Sequence, residues 1–252
     1  MAAKAVDASA PLTREAVEAR IVRAMQLAKA GQSEEALREF LWAYDVGMVR
    51  ITSLEGQRYG ALQQIAALGK NYPPALAVLR ERRDAAEKRV LLNIDDGQAA
   101  RLFGSVNQLL NEKERTLAAF DKAPPMSEAT PDRRRLVGFV FDELVERRRY
   151  QDFLDCRGFA LMSSQLESWT MARGKAVPNT GAKAEANWDK WIEGTVRDIE
   201  VLAGVGAVAD ARNLATRLLA ADGTEKTRAL LQQRLVRAGQ PGLLEAGAAG
   251  GK

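Results

Sequence analysis

Histidine is absent from this 252-residue chain and cysteine occurs once, at Cys156. Without histidine there is no imidazole general base, no His-dependent catalytic triad and no His-containing metal set. A lone cysteine cannot close an intramolecular disulfide or supply a thiolate cluster for zinc. Cys156 reads as a small buried apolar residue on a helix. Long apolar runs are also missing: none approaches the roughly 20 residues that span a bilayer. The Ala-rich leader over residues 1–12 lacks the apolar stretch of a secretory signal. These absences predict a cytoplasmic protein without a membrane partner, and a composition rich in Ala and Arg is compatible with a bacterial source of high GC content. Charge of one sign is scarce too, since 37 basic residues face 33 acidic ones for a net +4. An excess that small gives no general attraction to nucleic acid, so any steering must come from local patches.

What the chain has is helical periodicity. Thr13 is a candidate N-cap, followed by Val17, Ile21, Ala24, Leu27 and Ala28 at helical spacing until Gly31. Ser33 can cap the next helix, Glu34 and Glu35 suit its positive end, and Ala36, Leu37, Phe40, Trp42, Ala43 and Tyr44 give it an apolar stripe ending at Gly47. A connection of about two residues forces these helices to lie antiparallel.

The run Gly31-Gln32-Ser33-Glu34-Glu35-Ala36-Leu37-Arg38-Glu39-Phe40-Leu41-Trp42-Ala43-Tyr44 resembles the turn and second helix of a tetratricopeptide repeat. Gly31, Ala36, Phe40 and Ala43 occupy the turn, small, aromatic and small positions of that pattern; Arg23 stands where its first helix usually has a large apolar residue. Further turns fall at Gly69, before Pro73 and Pro74, and at Asn111, where Phe103-Gly104, Phe120 and Ala123 fit the pattern but Thr116 replaces alanine. Two more fall near Arg148 and at Gly206, with Ala211 five residues on. The intervals are 38, 42 and 37 residues and then 58, against the roughly 34–47 of paired-helix repeats. The longer one holds a segment over 173–187 whose composition reads as an exposed loop.

The resemblance implies an all-α fold: a right-handed α-solenoid of about five antiparallel helix pairs with a C-terminal capping helix. Repeats are expected over 13–172, a last repeat and cap over 188–238, and a frayed, disordered tail over 239–252. An irregular helical bundle is the structural alternative. In the family the first helix of each pair lines a concave groove, and the turn alignment carries that role to Met25, Lys29, Tyr59, Gln63, Arg101, Ser105 and Gln108. The expected function is a non-catalytic scaffold or adaptor that binds another protein, an extended or helical segment with acidic character, and needs no cofactor or metal. The alternative is a helical repeat protein binding RNA or single-stranded nucleic acid.

Other features have plainer readings. Arg133-Arg134-Arg135 and Arg147-Arg148-Arg149 spread around a helix and read as solvated faces rather than a phosphate patch. The run from Arg80 to Arg89 reads as an exposed, ion-paired helix. Trp188 and Trp191 share a helix face and read as a docking anchor, and Asp95-Asp96-Gly97 as a turn leading into a helix. No phosphate-binding glycine loop or nucleophile elbow occurs.

Overall fold

In the computed structural model, which describes residues 12–123, 134–175 and 182–245, the protein is all-α, with no strand among the described residues. The chain divides into two compact units, Met1–Ala123 and Pro124–Lys252.

In the first unit α1 (Arg14–Lys29) and α2 (Ser33–Trp42) form a pair. A π-turn (Ala43–Gly47), a short α3 (Met48–Arg50) and a 3-10 turn (Thr52–Gln57) lead to α4 (Arg58–Leu68), which pairs with α5 (Pro73–Leu92); α6 (Gly97–Leu109) pairs with α7 (Lys113–Lys122). Contacts follow chain order: α2 packs on α4, α5 on α6, and the like members α4 and α6, and α5 and α7, also touch. Thr13 caps α1, its hydroxyl accepting the Ala16 N–H at 3.2 Å. The expected cap at Ser33 does not form; Gln32 holds the cap position without a side-chain bond to the backbone, because the preceding turn has already set the backbone there.

That turn recurs. Gly31 lies at φ +78°, Asn111 at +57°, Arg148 at +55°, Gly206 at +83° and Gly239 at +78°. At each, the left-handed residue donates its N–H to the carbonyl three residues back, and the residue after it donates to the carbonyl five residues before itself, at 2.7–2.9 Å. These bonds satisfy carbonyls orphaned by the helix end. Four of the five expected turns therefore share one geometry. Gly69 is different, with φ −63°: its value is the missing side chain, since a Cβ would collide with Leu76. Gly47, expected as a stop, lies inside the π-turn, and a Cβ there would come within 2.8 Å of Val17.

The core of this unit runs through Val17, Ala24, Ala36, Phe40, Ala43, Leu54, Ile65, Leu79 and Val106. The substitution of alanine by Thr116 is accommodated: Thr116 is buried, and its hydroxyl accepts a hydrogen bond from the fully buried Asn107 at 2.9 Å. The stretch from Arg80 to Arg89 is ion-paired as expected but less exposed. Arg83 is only 4% exposed and reaches Glu112, Arg82 meets Asp45 at 2.6 Å, and Arg115 of α7 reaches back to Glu87. These pairs join neighbouring helices as well as decorating one.

The second unit contains α8 (Arg134–Val137), α9 (Phe141–Glu146), α10 (Tyr150–Arg157), α11 (Phe159–Lys175), the long α12 (Ala182–Gly204), α13 (Val208–Ala221) and α14 (Glu225–Arg237). Here α10, α11, α13 and α14 all pack on α12. Gly204 lets the Tyr150 ring lie against the end of α12, where a Cβ would strike it. Cys156 is buried, as expected.

Two expected boundaries shift. Helix extends through Lys175 and resumes at Ala182, so the segment over 173–187 is helical at both ends, where Ala, Lys and Glu favour helix; residues 176–181 lie outside the described set. The tail over 239–252 begins as an ordered turn: Leu243 is 3% exposed and its carbonyl accepts from Arg212 at 3.2 Å. Residues 246–252, and the leader over 1–11, lie outside the described set.

Candidate functional site

The described residues hold no group of three or more His, Cys, Asp or Glu placed to bind a metal. No helix among them is long and apolar enough to cross a membrane. The Asp95-Asp96 pair acts as expected for a helix start, Asp96 Oδ1 accepting the Ala99 N–H at 2.9 Å. That backbone bond, assisted by Arg89, holds the Asp96 carboxyl below its ordinary range.

In the first unit a cleft of about 200 Å³ opens where the π-turn, the 3-10 turn, α4, α5 and α6 converge. Leu62 and Leu102 form its apolar part, and Tyr44 and Tyr59 contribute rings. Arg58, Arg89 and Arg101 bring three guanidinium groups to it, against one lining carboxylate, Glu55.

Those cations are held differently. Arg89 donates to Asp96 through Nε at 2.9 Å. Arg101 is 71% exposed and only 3.9 Å from Glu55, itself 53% exposed. Arg58 lies over the Tyr44 ring at 4.3 Å, which orients its guanidinium. No carboxylate of the described residues lies within ion-pair distance of it, and its buried Nε has no hydrogen-bond partner there. Burial raises the Tyr44 phenol above its ordinary value, opposed by the Arg58 charge.

Three of the seven groove residues expected from the sequence, Tyr59, Arg101 and Ser105, line this one cleft. Gln63 and Gln108 are exposed one turn further along α4 and α6. Met25 is half-buried against the core, and Lys29 is exposed near the end of α1; neither lines the cleft. Sequence reading missed Arg58, Arg89 and Tyr44. Arg58 precedes Tyr59 directly, but its place depends on the 3-10 turn before it, which carries no periodic signal.

The second unit has a cavity of about 350 Å³ between α10, α11 and α12, lined by Trp191, Met162, Gln165, Arg157, Arg197 and Asp198 among others. Asp198 is 3% exposed. Burial pushes its carboxyl up to about 6, although Arg157 and Arg197 oppose the shift. Next to it on α12, the fully buried Glu200 accepts from the Tyr150 hydroxyl at 3.0 Å, from Arg234 at 3.2 Å and from Arg237 at 2.6 Å.

Trp188 and Trp191 stack with ring centroids 4.2 Å apart, and the Trp188 indole N–H donates to Asp222 at 2.7 Å. This ties α12 to the turn before α14, a contact inside the last expected repeat rather than one between that repeat and the stack. Of the arginine runs, Arg149 is bound to Asp152 at 2.8 Å and Arg148 occupies the left-handed turn position; Arg133 lies outside the described residues. Compared with protein-family models, curated proteins and solved structures, the chain matches none.

Proposed function

We propose that this protein is a non-catalytic, cytoplasmic interaction scaffold of tetratricopeptide-like construction, whose first unit binds a segment of another protein. The observation that carries the reading is the cleft where Tyr59, Arg101 and Ser105 meet, on the first helices of two successive pairs. The chain-order packing of three helix pairs and the repeated left-handed turn support a solenoid in this unit. Such a stack presents the same member of each pair on one surface, which suits recognition of an extended or helical segment. The turns at Arg148 and Gly206 are the proposed counterparts in the second unit, with α14 as the cap.

The test is capture from the native host's lysate, after nuclease treatment, by the wild-type chain and by variants Tyr59→Ala and Arg101→Glu with unchanged helical content. A stoichiometric protein retained by the wild type and lost from both variants is the expected result. Equal retention by all three places binding elsewhere. Recovery of RNA that disappears with rising salt would replace the reading with nucleic-acid binding.

A further inference from the structure

We propose that the cleft of the first unit recognises an internal acidic side chain, Asp or Glu, next to a bulky apolar residue of the bound segment. This deepens the scaffold reading above and rests on it.

Charge comes first. Arg58, Arg89 and Arg101 converge on one cleft; Asp96 faces Arg89, Glu55 faces Arg101, and Asp45 beside Tyr44 is paired with Arg82, which leaves one positive charge in excess. Asp96 is committed to Arg89 and to the start of α6. Glu55 stands 3.9 Å from Arg101 with both side chains mostly exposed, a separation at which an ion pair in water contributes little. Arg58 has no acid of its own among the described residues, and the Tyr44 ring holds its guanidinium in place. A planar guanidinium held in place by an aromatic ring, with no carboxylate of its own, matches a carboxylate. An added acid between Arg58 and Arg101 neutralises the excess; an added base increases it.

The apolar neighbour follows from the floor. Leu62 is buried, Leu102 half-buried, and the Tyr59 ring is 38% exposed beside them, so a Leu, Ile or Phe next to the acid covers surface that now faces water.

The strip beyond the cleft makes the acid internal. Tyr59 and Gln63 lie on one face of α4, and Arg101, Ser105 and Gln108 on one face of α6. The exposed glutamines continue the polar strip past the cations. Each offers a donor and an acceptor to the main chain of a segment that runs on beyond its acidic residue.

The experiment uses the full chain and a library of 12-residue N-acetylated peptides, screened both C-amidated, so that no terminal charge is present, and with a free C-terminal carboxylate. Selected peptides are measured by calorimetry with their Glu→Gln partners and in both C-terminal forms. The expected result is enrichment of Asp or Glu beside Leu, Ile or Phe. Affinity should fall about tenfold or more in the Gln partner and in Arg58→Gln, and the difference should shrink as salt rises.

Binding that needs the free C-terminal carboxylate overturns the internal-acid assignment. Peptides that bind through Tyr59 and Gln63 but show no acidic preference, or tolerate Arg58→Gln, overturn the inference and leave the scaffold reading standing. If no peptide binds and lysate capture also ignores the cleft variants, both fall.

Discussion

In the first unit α2 packs on α4, and α4 and α5 on α6, so that contacts advance along the chain; in the second, α10, α11, α13 and α14 all rest on the single helix α12. The polar interiors differ in the same way. The first unit spreads its ion pairs along α5, at Arg82, Arg83 and the Glu87–Arg115 contact. The second concentrates them within one turn of α12, where Glu200 collects Tyr150, Arg234 and Arg237 and Asp198 meets Arg157 at 3.2 Å. A serial stack can lose one end and keep the other. A hub fails together when its central helix is weakened.

The sharpest break in that comparison is Glu200→Ala. It strands three donors around a fully buried site, and breaking a buried charged network costs about 3–5 kcal/mol. Denaturant unfolding followed by hydrogen exchange should show α10, α12 and α14 losing protection together, with α1 and α2 unchanged; a loss confined to α14 would refute the hub.

Phe120→Ala is the matching cut in the stack. The ring is fully buried in α7, and its removal should cost about 3 kcal/mol. Protection should fall in α6 and α7 while α1 and α2 hold theirs; an equal fall throughout would make the first unit as cooperative as the second.

Asp198 adds a pH dependence. Its folded value of about 6 lies above the ordinary 3.8, so between those values the folded unit binds more protons than the unfolded chain. Stability conferred by the protonated form is present below that window and is lost as pH rises through about 6, by order 3 kcal/mol in all. The second unit should thus resist denaturant better at pH 5 than at pH 7, and Asp198→Asn should flatten the difference. A rise in its stability from pH 5 to pH 7 that persists in the variant would sink the assignment.

The smallest effect is at the turns. Arg148 holds a left-handed conformation that costs a side-chain-bearing residue about 1 kcal/mol, so Arg148→Gly should raise stability by that amount; Asn111→Gly should gain less, because asparagine tolerates the region. Thermal melts would check both, and a destabilised Arg148→Gly would argue that the Arg148 side chain holds the turn.

Helix pairing and most turns were legible because they rest on local signals. Apolar spacing placed α1, α2 and α7, Pro73 and Pro74 opened α5, and Gly31 and Gly206 closed their helices. The π-turn over Ala43–Gly47 was not legible, since it continues a helix past a glycine that looks like a stop and exists so that Val17 can approach. The hub was hidden for a related reason: periodicity reports that α12 has apolar faces, not how many partners share them. At the cleft, the alignment of turns found Tyr59, Arg101 and Ser105, which follow from helix register. Arg58 and Tyr44 enter through an irregular connection whose path only tertiary packing decides.

The left-handed turns have a further consequence. Their two closing bonds run between main-chain atoms, so each asks only that one backbone position tolerate positive φ, and glycine, asparagine and arginine have all met that demand here. A helix pair built this way can exchange nearly every side chain at its corner and still fold back at the same angle. The corner is therefore a durable place to graft foreign residues, and a poor place to look for ancestry.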